Sequence, residues 1–101
     1  MGRRSRLDIY FDVLEAIGNG IDEPTRIMYD ANLSWIVGCN VFDDLIKSDF
    51  IREEKEMISA RYYLTEKGRN ALSYYIEALE GLIQNEVVFP SELTVNKTNN
   101  S

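Results

Sequence analysis

Side chains able to carry out chemistry are few in this sequence. There is no histidine and a single cysteine, Cys39. A structural zinc site draws on about four Cys or His ligands, and the Ser-His-Asp and Cys-His nucleophile systems need an imidazole. Those classes are excluded. The remaining candidates are adjacent acids, Asp43/Asp44 and Glu53/Glu54, which could in principle act as an acid–base pair. Neighbouring acids on a helix or hairpin surface are ordinarily solvated, so no enzyme is expected, and no metal or other cofactor. One thiol closes no internal disulfide, which fits a reducing, cytoplasmic setting. On a helix Cys39 reads either as a small apolar group or as a redox-sensing thiol.

The cations offer a different chemistry, contact with phosphate. Arg3, Arg4 and Arg6 form a basic N-terminal arm, and Arg26, Lys47, Arg52, Lys55 and Arg61 follow along the chain. Against these eight stand Asp30, Asp43, Asp44, Glu53, Glu54 and Glu56, which leaves +2 locally. Over all 101 residues, 11 Lys and Arg face 17 Asp and Glu, a net charge of −6. That balance argues against a nucleic-acid binder and against an anionic membrane surface. However, charges are screened beyond about 8 Å at physiological salt, so the local count decides. Duplex binding by such a surface would be weak and salt-sensitive.

These residues must be positioned by recognisable elements. Ser5-Arg6-Leu7-Asp8 is a helix start, and Leu7, Tyr10, Phe11, Leu14 and Ile17 recur at spacings of three and four, predicting a first helix over 5–17. Ile9 and Val13 lie off that stripe, as if the helix were covered on more than one side. Gly18-Asn19-Gly20 ends it, with both glycines suited to the left-handed conformation. Asp22-Glu23-Pro24 opens a second helix whose buried edge is Ile27, Met28 and Ala31. Asn32-Leu33-Ser34 is a tight turn, and Ser34 caps a third helix ending at Ser48-Asp49. Gly38, Val41, Phe42 and Leu45 share its core face, with Gly38 permitting close helix approach. Phe50–Arg52 reads as a short strand, 53–56 as a charged connector, and Ile58–Leu64 as the returning strand. Thr65-Glu66-Lys67 starts a long final helix, followed by a polar tail from 87 to 101. No stretch approaches the ~18 uninterrupted apolar residues of a membrane span.

Three helices, the third entered by a tight turn, then a hairpin, define a mostly helical α+β winged helix-turn-helix over 5–64. The final helix over 65–86 is set apart. Four stretches carry a resemblance: Arg26-Ile27-Met28-Tyr29, Ala31-Asn32-Leu33-Ser34, Leu45-Ile46, and Leu64-Thr65-Glu66-Lys67-Gly68-Arg69. Together they resemble the archaeal ArnR-like winged-helix family, including the small dimeric chromatin-associated proteins. The resemblance spans roughly residues 6–84. It implies a homodimer that binds double-stranded DNA, with the last helices paired as an antiparallel coiled coil. It also implies that the helix from Ser34 enters the major groove and that residues 53–60 form the wing. The chain departs from the family pattern on that helix, where no basic residue precedes Lys47.

Steps of 100° put Ile36, Asn40, Asp43 and Lys47 opposite the core face of the third helix, with Val37 and Asp44 beside them. Asn40 either contacts adenine or is merely solvated. Trp35 reads as a core-edge anchor or as a stacking platform. Ile36 and Val37, if exposed, suit thymine methyl groups or a protein partner better than phosphate. Arg52, Lys55 and Arg61 either reach DNA or pair with the glutamates of the hairpin. On the last helix Leu72, Tyr75, Ile76, Leu79, Leu82 and Ile83 follow the alternating three–four seam of a short coiled coil. Two functions follow: a homodimeric DNA-binding regulator or chromatin component, or a protein-interaction module that has lost DNA binding.

Overall fold

A computed structural model describes residues 4–92, with side chains through Leu82. Its elements are α1 (Arg6–Gly18), α2 (Pro24–Asp30), α3 (Trp35–Lys47), β1 (Ile51–Lys55), β2 (Ala60–Leu64) and α4 (Glu66–Glu92). Arg3 and residues 93–101, most of the expected tail, lie outside the described residues.

Helix α1 starts where its capping signals require. The Ser5 hydroxyl accepts from the Asp8 N–H at 3.0 Å, and the Asp8 carboxylate accepts from the Ser5 N–H at 3.1 Å, a reciprocal capping box. Val13, Leu14, Ala16 and Ile17 are its buried residues, while Leu7, placed on the apolar stripe by spacing, is largely exposed. The helix is covered around Val13, and Leu7 lies a turn beyond the core. At the exit only Gly20 is left-handed, with φ 101°. Gly18 serves packing instead: a Cβ there would meet Leu72 Cδ2 at 2.9 Å.

The turn between α2 and α3 is made by Asn32 at φ 59°, a conformation that Asn tolerates better than most residues. Ser34 then accepts from the Val37 N–H at 3.3 Å and starts α3. Gly38 lets α2 and α3 approach closely, since a Cβ there would lie 2.6 Å from the Met28 sulfur. Ile27, Met28, Val41, Phe42 and Leu45 join the α1 residues in one core, closed from the hairpin side by Ile51, Tyr62 and Leu64.

Strands β1 and β2 pair antiparallel, with Ile51 opposite Leu64 and Lys55 opposite Ala60. The hairpin therefore differs from its predicted bounds. Residues 53–55, read as connector, belong to β1, and Ile58, assigned to the returning strand, stands at the tip. Cross-strand partners explain the extension: Glu53 faces Tyr62 and Glu54 faces Arg61, so acidic side chains that read as loop have places on the ladder. The Tyr62 N–H also donates to the Asp22 carbonyl at 3.0 Å, tying β2 to the segment ahead of α2.

The Leu64–Arg69 motif joins hairpin to α4. The Thr65 hydroxyl donates to the Asp49 carbonyl at 2.6 Å and accepts from the Gly68 N–H at 3.0 Å. Any side chain at Gly68 would collide with the Phe50 carbonyl oxygen, so this position needs glycine for close backbone approach. Helix α4 continues past the expected end at 86 to Glu92, through Pro90. Its first turns lie on the body, where Phe11 and Tyr75 stack with ring centroids 4.1 Å apart.

Candidate nucleic-acid interface

Capped by Ser34 and braced by Met28, α3 holds one row of side chains away from the core. Ile36, Asn40, Asp43 and Lys47 are all exposed, in the phase expected from the 100° steps. Ile36 is 73% exposed, but Val37 is half-buried against the core and leaves the predicted pair. Trp35, read either as a core-edge anchor or as a stacking platform, is 60% exposed, at the helix start on the side facing the hairpin tip. Cys39 is half-buried on that same side.

The cations divide into two sets. Arg4 donates to Asp12 at 2.6 Å and to the Ala31 and Asn32 carbonyls at 2.7 and 3.1 Å, locking the arm onto the helix–turn–helix bend. Arg6 pairs with Asp44 of α3 at 2.7 Å, and the Tyr10 hydroxyl donates to the same carboxylate oxygen at 2.8 Å. Hydrogen bonds from Arg6 and then Tyr10 hold the Asp44 carboxyl below its usual range, while bonds to Tyr10 and Asp44 raise the Arg6 guanidinium. On the hairpin, Arg52 bridges Glu54 at 3.1 Å and lies over the Tyr63 ring. Arg61 reaches Asp22 at 2.7 Å and Glu56 at 3.6 Å, and the Asp22 charge is the main cause of its raised pKa. The sequence alternative in which hairpin arginines pair with hairpin glutamates therefore holds for Arg52 and in part for Arg61.

Arg26, Lys47 and Lys55 form the second set. They are exposed and bridge no carboxylate among the described residues. Glu53, meanwhile, accepts from the Tyr62 hydroxyl at 2.9 Å. Burial first, and the neighbouring Glu53 second, push that hydroxyl well above the ordinary tyrosine pKa. Tyr62 stays a neutral donor that fixes the hairpin over Phe42, 4.6 Å away between ring centroids.

Three exposed apolar side chains were not anticipated. Met57 and Ile58 at the hairpin tip are 97% and 98% exposed, and Tyr29 on α2 is 89% exposed. A turn without Gly, Asn or Asp gave no hairpin-tip signal; Tyr29 could have been found, because it follows Arg26 by three residues, off the Ile27–Met28–Ala31 edge. Of the proposed seam, Leu72 and Tyr75 pack on the body of the same chain, whereas Ile76, Leu79 and Leu82 are exposed. The Ile83 side chain lies outside the described ones.

A three-helix body with an exposed third helix, flanked by a two-stranded hairpin, is the architecture of winged helix-turn-helix proteins. The winged helix-turn-helix family model matches residues 3–83, and the chain belongs to that family. It is 37% identical over 78 residues to an uncharacterized protein of Methanocaldococcus jannaschii, covering 77% of this chain and 76% of that one. Among solved structures it is similar to Sso10a-2, a DNA-binding protein from Sulfolobus solfataricus, with TM-score 0.64 and 25% identity, covering 92% of this chain and all of the other. A winged-helix DNA-binding protein from STIV shares the fold at TM-score 0.63 and 24% identity, over 77% of this chain and 92% of that chain. No helix among the described residues is long and apolar enough to cross a membrane.

Proposed function

We propose that this protein binds double-stranded DNA as a homodimer and acts as a transcriptional regulator or chromatin-associated protein of the archaeal ArnR-like group. Helix α3 enters the major groove with Ile36, Asn40 and Lys47 towards the bases and backbone. Arg26, Lys55 and the Arg3 end of the arm contact phosphate. Ile76, Leu79 and Leu82 of α4, continued by Ile83, pair with a second copy as an antiparallel coiled coil.

The exposed row on α3, held out beside a hairpin of winged-helix type, is the observation that carries this reading. The similarity to Sso10a-2 across that protein's whole length supports it. Fluorescence anisotropy with a labelled duplex at low salt is the test. Binding weakened by Asn40→Ala and Lys47→Ala is the expected result; no binding by the wild type refutes it.

One observation favours a second reading, a protein-docking module. Trp35, Ile36, Met57 and Ile58 place exposed apolar surface on and beside α3, while most nearby arginines are neutralised by acids. Under that reading Ile36→Glu abolishes capture of the partner, and duplex DNA is not bound at any salt concentration.

A further inference from the structure

The groove between the end of α1, the base of the hairpin and the first turns of α4 does not belong to the proposed DNA face. It is an open groove of about 430 Å³, within the ~300–1,000 Å³ of small-molecule clefts. Leu64, Leu72 and Ile76 supply apolar walls, and Arg52, Arg69 and Ser73 supply the polar ones.

Its charge is unusual for this chain. The protein carries −6 overall, yet two arginines and no acidic residue line this groove. Three other hollows among the described residues hold acids: Asp12, Glu15 and Asp30 in one, Glu56 in a second, Glu77 in a third. Arg69 donates to the Leu64 carbonyl at 3.3 Å and bridges no carboxylate among the described residues. The Arg52 guanidinium lies 5.0 Å from the Tyr63 ring centroid. Its bridge to Glu54 is half exposed on both sides and is readily exchanged for another anion.

We propose that this groove binds a small carboxylate with an apolar body, such as a medium-chain or aromatic acid. The two parts of the lining set the class. A neutral apolar ligand would desolvate the guanidiniums without a counter-charge, which is costly. A bare inorganic anion would leave the apolar walls unfilled. A carboxylate answers the planar donors of arginine, while its chain or ring covers Leu64 and Leu72. The site stands apart from DNA binding and does not depend on it.

Titration of the full-length protein with sodium octanoate, followed by amide chemical shifts and calorimetry, tests the proposal. Saturable binding is expected, with shifts centred on Arg52, Tyr63 and Arg69; 1-octanol and inorganic phosphate should each bind at least tenfold more weakly. Arg69→Gln, at an exposed position, should weaken octanoate at least tenfold, and Ser73→Trp should block it by volume; both variants should keep the wild-type circular dichroism. Equal binding of octanol, shifts confined to Leu79 and Leu82, indifference to both substitutions, or no saturation would each overturn it.

Discussion

The body of the molecule up to Tyr75 and the part of α4 beyond it treat their surfaces in opposite ways. In the body, apolar positions meet across three helices and a hairpin, and four arginines are returned to acids of the same chain. Beyond Tyr75, Leu79 and Leu82 remain exposed on a helix that continues to Glu92. The body closes a core of its own and leaves its exposed apolar groups on α2, α3 and the hairpin tip, whereas Leu79 and Leu82 on the projecting helix take no part in that core. The same contrast separates charges within the body, since bridged arginines hold the fold together whereas Arg26, Lys47 and Lys55 remain available to a ligand.

The largest effect is expected where the molecule is least self-sufficient. If α4 pairs as proposed, the wild type is a dimer in light scattering after size exclusion, and Leu79→Asp combined with Leu82→Asp should raise its dissociation constant more than a hundredfold, leaving a monomer. The body should keep its helical circular dichroism. A doubly substituted protein that remained dimeric would remove the contrast.

Gly68→Ala probes the opposite side of the comparison, the closure of the body. Overpacking against the Phe50 carbonyl costs about 3 kcal/mol, partly offset by about 1 kcal/mol of helix propensity. A net loss of roughly 2 kcal/mol should lower the melting temperature by about 8–16 °C for a domain of this size. An unchanged melting temperature would mean that the backbone approach is looser than described.

Lys47→Ala separates available from committed cations. In a dimer it deletes two phosphate contacts, so the slope of log K against log salt should become shallower by about 2. Arg61→Ala should leave the slope unchanged and reduce stability instead, because its partners are Asp22 and Glu56.

The smallest effect concerns Asp44. Its folded-state pKa lies below the ordinary carboxylate value because Arg6 and Tyr10 bond to the ionised form. Its contribution to stability is therefore complete above the unfolded pKa of about 3.9 and is lost as pH falls through the lower folded value. Asp44→Asn should reduce stability slightly at neutral pH and flatten the acid limb of the denaturation profile below about pH 4. Identical acid limbs would show that the Arg6 latch contributes nothing in solution.

Local signals made much of this architecture legible. Capping at Ser5 and Ser34, Pro24 at the start of α2 and the spacing of Val41, Phe42 and Leu45 marked the helices because each acts within a few residues. The phase of α3, and with it the exposure of Ile36, Asn40 and Lys47, followed from periodicity alone. The partners of the arginines did not, since Arg6–Asp44 and Arg61–Asp22 join residues 38 and 39 positions apart. The hairpin tip was misplaced because Met57-Ile58 carries none of the usual turn chemistry. Gly68 stood out as a motif, but its reason, the Phe50 carbonyl, became visible only in three dimensions.

The salt dependence of duplex binding tests the central claim most directly. With Arg3, Arg26, Lys47 and Lys55 on each protomer, the proposed dimer neutralises about eight phosphates, and log K should fall against log salt with a slope of about −7. A flat line, or no association with a duplex at the lowest salt, would contradict the account.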